Sequence, residues 1–176
     1  MPNLQAIADG VDLMTVHHAE LKDLSEIMPI YAGARKFMAE HGNPRQWGGT
    51  NWPPENLIRQ DIMDGKSYIC EQNGVIAAVF YYDFGHAIEP TYATINGAWI
   101  GSEDYGVVHR IASSGKVKGA GAFSINWVYA QCGHLRMDTH PDNVVMQKLL
   151  TKLGFVKTGE IHVVEDNDPR FAYEKL

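Results

Sequence analysis

Between Tyr105 and Thr139 the chain reads strand, glycine-rich loop, helix, strand, and no other stretch limits the fold as strongly. Tyr105 to Ser113 is a long β-rich run. Ser-Gly-Lys-Val-Lys-Gly-Ala-Gly follows, and then a helix with Phe123, Trp127 and Ala130 on one face and Ile125, Val128 and Cys132 on another. A helix apolar on two sides must be packed between other elements. Leu135 to Thr139 returns as a strand, and a strand-helix-strand crossover of this length is right-handed and makes its two strands parallel.

The remaining segments surround that unit with antiparallel pairings. Residues 12 to 17 read as a short strand, followed by a helical stretch in which Leu24, Ile27, Met28 and Tyr31 recur at helical spacing. Pro29 should kink or restart that helix. Residues 41 to 54 combine Pro, Gly and two Trp and read as a loop. Pro53 and Pro54 then suit the first turn of a short helix carrying Leu57, Ile58 and Ile62, with Gly65 as its left-handed cap. Ser67 to Glu71 and Val75 to Asp83, joined through Asn73-Gly74, predict a hairpin. Residues 144 to 153 predict a helix stopped by Gly154, and Phe155 to Val164 and Arg170 to Lys175 predict the closing strands. The expected fold is α/β (α+β): a mixed, mostly antiparallel sheet with helices on both faces, in a single domain over residues 1–176.

Composition narrows the class of partner. Apolar residues make up 45% of the chain and charged residues 20%, as in an ordinary globular domain. The formal net charge of −6 argues against nucleic acid and anionic lipid as partners and favours neutral or cationic ones. Residues 1 to 13 hold Asp9 and Asp12 without a basic segment, which predicts no signal peptide, and no apolar run is long enough to span a membrane. A cytoplasmic protein is expected. Cys70 and Cys132 sit in separate apolar segments and read as free thiols. His17, His18 and His162 lack metal-ligand spacing, so no metal is expected.

The loop before the central helix carries the chemistry. Amides at such a helix start are unpaired, glycines let an anion approach them, and Lys116 and Lys118 add positive charge, so the segment suits a phosphate or pyrophosphate. A tight strand-to-helix turn would use Gly119 and Gly121 equally well. The Gly-Lys-Ser/Thr ending of a P-loop is absent, and so is a complete Rossmann fingerprint.

This segment resembles the acyl-CoA signature of the GCN5-related N-acetyltransferases (GNAT), in which a strand precedes Arg/Gln-x-x-Gly-x-Gly/Ala and a helix. One register lays the motif on Lys118, Gly119, Ala120, Gly121, Ala122 and Phe123; a second starts at Lys116 and uses Gly119 and Gly121. Both put Lys where the family has Arg or Gln. Leu135-Arg-Met-Asp-Thr-His-Pro-Asp-Asn143, with the later Leu153-Gly-Phe155, resembles the family's next motif, and the element order matches over nearly the whole chain. The resemblance implies acetyl-CoA as co-substrate, bound by the strand edge at Ile111, Ala112 and Ser113, by the loop from Lys116 to Ala122, and by Asn143. Asn143 is equally suited to capping a helix.

The implied reaction is transfer of an acetyl group to a primary amine of a small molecule or peptide. The family's usual acid/base positions fall here on Val107 and Leu150, which are apolar. His109 is two residues from Val107 on the same strand face, and an imidazole suits proton acceptance near neutral pH. It could equally be a satisfied core histidine. Tyr105 and Glu103 are further candidates, and the family's acceptor-lining segments supply Trp47, Trp52 and Trp99. An alternative is a non-catalytic acyl-CoA-binding or sensing module of the same fold. A homodimer is compatible with either.

Overall fold

The computed structural model describes residues 13–164 and 166–176; the expectation drawn from Asp9 and Asp12 lies outside them. Among the described residues, four helices flank one eight-stranded sheet. The strands are β1 (Thr15–His18), β2 (Ser67–Gln72), β3 (Val75–Gly85), β4 (Asn96–Gly97), β5 (Tyr105–Ser113), β6 (Leu135–Thr139), β7 (Val156–His162) and β8 (Pro169–Lys175). Their order across the sheet is β1-β2-β3-β5-β6-β8-β7-β4. Among the described strands only β5 and β6 pair in parallel, as the crossover demands. No helix among the described residues is long and apolar enough to cross a membrane.

Helix α1 (Leu24–Glu40) runs through Pro29 as one element, preceded by a 3-10 turn at Leu21–Asp23. The expected restart does not occur. An interior proline costs a helix about 3 kcal/mol. Leu24, Ile27 and Tyr31 are all buried on the sheet from this helix, and burial of each such side chain contributes about 1.5 to 3 kcal/mol, so packing wins. Helix α2 (Glu55–Met63) packs beside it through Ile58 and Ile62, and Gly65 follows at φ +68°, as expected of a left-handed cap. Helices α3 (Ala120–Cys132) and α4 (Val144–Lys152) cover the other face, where Ile125, Val128 and Leu150 pack with Phe80, Val108 and Met137.

Two features of β5 position the site. Its register against β3 shifts between Val79 and Tyr81, and Arg110 sits there at φ +50°, so β5 carries a bulge. The extra residue breaks the strand's alternation. Val107 and, beyond the bulge, Ala112 pack on the α1/α2 face, whereas Val108 and Ile111 pack on the α3/α4 face. Arg110 is fixed by a bidentate pair to Asp61 of α2 at 2.9 and 3.0 Å, while its carbonyl accepts the Tyr31 hydroxyl at 2.8 Å. Second, β5 and β6 pair only at Gly106 with Leu135 and Val107 with Arg136. Beyond that point the strands part, and the sheet opens into a cleft between residues 108–111 and 137–139.

A buried cluster holds the connection before β5 in place. Glu174 accepts hydrogen bonds from His134, from Arg136 and from the amides of Ile100 and Gly101. Burial opposes its ionisation, but these donors prevail and keep its carboxyl below the usual glutamate range. Arg136 is in turn held between the rings of Trp99 and Tyr105, 4.3 and 4.1 Å from their centroids.

Candidate active site

The cleft passes through the sheet and joins its two faces. Toward α4 it is lined by Ile111, Met137, Thr139, Asn143 and Met146; toward α1 and α2 by Trp47, Trp52, Glu89, His109 and Arg110, with Asp138 at the floor. The Thr139 hydroxyl is buried without a hydrogen-bond partner. An orphaned polar group of this kind needs an explanation, and a ligand in the cleft would supply one.

His109 leaves the strand face just before the bulge and meets a carboxylate that sequence reading did not single out. Glu89 caps a 3-10 turn at Pro90–Thr94, accepting the amide of Thr91 at 3.1 Å and its hydroxyl at 2.7 Å through one oxygen. The other oxygen meets Nε2 of His109 at 3.0 Å. Burial opposes the ionisation of Glu89 and would raise its pKa, but the His109 hydrogen bond and charge and the Thr91 donors outweigh it and hold the carboxyl at about 2. An ionised carboxylate only accepts, so Nε2 carries the proton. The lone pair of a neutral imidazole is then on Nδ1. Nδ1 lies 3.8 Å from an Asp138 oxygen, too far for a direct hydrogen bond. That oxygen accepts the Tyr92 hydroxyl at 2.7 Å. Burial first, and the Asp138 charge next, push the Tyr92 phenol well above its ordinary range, so it remains a donor. The cleft thus presents a basic nitrogen and a carboxylate to the same small volume.

The other candidates separate into those the cleft gathers and those it does not. Trp47 and Trp52 line it. Trp99 does not: its indole donates to the Tyr92 carbonyl at 2.9 Å and its face covers Arg136, so it braces the connection from behind. Tyr105 shares the strand face of His109 but lies where β5 and β6 are still close together, with its ring packed under Arg136. Glu103 is exposed in the bend before β5, outside the cleft. Asn143 caps α4 by accepting the Met146 amide at 3.1 Å, and its amide group donates to Gln46 at 3.0 Å.

The loop between β5 and α3 has the form of an anion cradle. Gly119 adopts φ +81° at the helix start, a conformation that favours glycine. The first helical hydrogen bond runs from the Phe123 amide to the Gly119 carbonyl, so the amides of residues 119–122 precede the ladder. A Cβ on Gly121 would lie 3.6 Å from the Ser113 hydroxyl and 3.8 Å from Leu149, in ordinary van der Waals contact with both. Lys116 and Lys118 are exposed and have no ion-pair partner among the described residues. Ile111 and Ser113 continue from the cleft toward this loop, whereas Ala112 faces the α1/α2 core. These residues fit a coenzyme with a pyrophosphate at one end and an extended arm. No group of three His, Cys, Asp or Glu able to hold a metal occurs among the described residues.

Bulge, split strands and glycine loop together define an acetyltransferase fold of the GNAT type. Solved structures bear this out. A GNAT-family acetyltransferase from Streptococcus agalactiae is 29% identical, with 93% of this chain matched to 95% of that one at a TM-score of 0.77. One from Listeria monocytogenes matches at 15% identity, TM-score 0.68, over 94% and 96% of the two chains. The ribosomal-protein-S18-alanine N-acetyltransferase of Escherichia coli matches at 14% identity, TM-score 0.59, over 93% of each. No family model matches the sequence, and comparison with curated proteins gives no match. The resemblance read from the glycine loop thus holds across the fold: the chain is GNAT-like throughout, and these three structural neighbours are acetyltransferases.

Proposed function

We propose that the protein is an acetyl-CoA-dependent N-acetyltransferase that acetylates a primary amine, with His109 as general base. The observation that carries this reading is the His109–Glu89 pair at the point where β5 and β6 separate. In the family-like arrangement the pyrophosphate would rest on the amides of residues 119–122 with Lys116 and Lys118 beside it, and the arm would follow the open edge of β5 past Ile111. The left-handed Gly119 falls on a motif glycine in the register that begins at Lys116, which favours that register. The thioester would then reach the cleft near His109.

An amine arrives protonated and must lose a proton before it attacks. His109 Nδ1 accepts that proton, Glu89 stabilises the imidazolium that results, and the free amine attacks the thioester carbonyl. The carbon–sulfur bond breaks, the nitrogen gives up its second proton as the amide forms, and the departing thiolate takes that proton up. Alignment by the cleft supplies much of the rate. The sensing alternative gains no support from a cleft that offers a histidine with a free nitrogen.

The test is thiol release from acetyl-CoA over a panel of amines, amino acids and peptides. His109→Gln should lower turnover by about 10²- to 10⁴-fold with acetyl-CoA affinity nearly unchanged. Unchanged turnover in that variant would remove His109 as base, and tight acetyl-CoA binding without thiol release from any acceptor would leave a sensing module.

A further inference from the structure

The walls of the cleft also limit the acceptor, an inference that rests on the acyl-transfer reading above. Two guanidinium groups line the cavity, and both are already neutralised. Arg110 forms its bidentate pair with Asp61. Arg170, 4% exposed, pairs through Nη2 with Asp166 at 2.6 Å and donates from Nη1 to the carbonyls of Asp168 and Pro169. No lysine lines the cavity. Among the described residues, therefore, no unpaired cation lines the cavity to offset the carboxylate of an amino acid.

The carboxylates are placed the other way. Glu89 is filled by Thr91 and His109. Asp138 accepts one hydrogen bond, from a tyrosine that stays neutral, and has no cationic partner while His109 is neutral. Tyr92 fixes the position of this carboxylate without cancelling its charge. The 3.8 Å between Asp138 and Nδ1 of His109 leaves a group that accepts hydrogen bonds and a group that accepts a proton side by side, matched to one ammonium. The orphaned hydroxyl of Thr139, 1% exposed, lies in the same cavity with its hydrogen-bonding capacity unspent.

From this we infer that Asp138 anchors the acceptor ammonium beside His109, and that the acceptor is a primary amine with no carboxylate near its amino group: an alkyl, aralkyl or diamine rather than an amino acid. An amino acid's carboxylate would stand within a few ångströms of Glu89 and Asp138 with no cation to offset it, and like-charge juxtaposition of this kind discriminates strongly. Trp47 and Trp52 suit the hydrocarbon part of such an amine, and an indole face also tolerates a second cationic group.

Matched pairs test it. Thiol release is measured with 2-phenylethylamine against phenylalanine, histamine against histidine, and 1,4-diaminobutane against ornithine, with phenylalanine methyl ester as a bulkier but uncharged control. The amine of each pair should exceed its amino acid by about 100-fold in kcat/KM, and the ester should fall within about tenfold of 2-phenylethylamine. Asp138→Asn keeps the shape and the Tyr92 hydrogen bond. It should raise the acceptor KM by about tenfold or more, leave the KM for acetyl-CoA unchanged, and narrow the amine-to-amino-acid ratio. Equal or better use of the amino acids overturns the inference and leaves the acyl-transfer reading standing. An ester as poor as the acid also overturns it, because size and not charge would then decide. Absence of thiol release from every acceptor, amino acids and peptides included, overturns both.

Discussion

Glu89 illustrates how a residue's role can be set by contacts twenty positions away. Its carboxyl is held at about 2 against an ordinary 4.5, so the unfolded chain takes up a proton at a higher pH than the folded one. The resulting stabilisation is complete above about pH 4.5 and lost as pH falls toward about 2, with a ceiling of about 3 kcal/mol. Urea denaturation of wild type and Glu89→Gln should give a stability difference that is present at pH 5 and shrinks between pH 4.5 and 3. A difference independent of pH would mean that the charge of Glu89 contributes nothing to the fold. His109 was legible as a candidate because one polar imidazole interrupts an apolar strand. Glu89 and Asp138 were not: one belongs to an irregular connection, the other to the neighbouring strand, and only the topology joins them. The signal available was Asp138 itself, a carboxylate within a short strand of a buried parallel pair, where an ionised group needs a reason. Tyr105, chosen by the same alternation that singled out His109, shows the limit of that rule: sharing a face does not mean sharing a cavity.

At the level of single elements, nearly every strand and helix followed from periodicity and turn chemistry, the hairpin through Asn73-Gly74 and the crossover through α3 above all. The β5 bulge was not legible, since a strand with one extra residue has the composition of any other strand, and its position is fixed by Asp61 and Tyr31 from two different helices. Yet that bulge decides that Ile111 and Ala112 face opposite sides of the sheet. The short β4 and the 3-10 turn before it were missed for a similar reason, because Gly97 and Gly159 approach so closely that a Cβ on either would collide with the opposite backbone. The glycine loop gives this scale its prediction. The Cβ site of Gly121 is uncrowded, so Gly121→Val should fold with a stability change of about 1 kcal/mol or less, while acetyl-CoA affinity falls by about tenfold or more. Titration calorimetry on the folded variant checks it, and an unchanged affinity would move the phosphate site off this helix start.

For the molecule as a whole, the two faces of the sheet divide the work. The α3/α4 face offers backbone amides and an open strand edge, with the exposed Lys116 and Lys118 in the loop before α3, which suit an anionic coenzyme; the α1/α2 face offers carboxylates, an imidazole and two tryptophans, which suit a cationic amine. On the proposed function, opposite charges would approach the same slot from opposite sides, and the parting of β5 and β6 would let them meet. The net charge of −6 agrees with the second half of this division and hides the first, because the basic loop is a local exception on an acidic protein. The central claim is that this slot binds acetyl-CoA, and the most direct measurement is the melting temperature of the wild-type protein with increasing acetyl-CoA. At 100 times the dissociation constant the ligand should add about 2.7 kcal/mol of stability, which for a chain of 176 residues is a rise of roughly 5 to 10 °C. A melting temperature that does not move at millimolar acetyl-CoA would contradict the account.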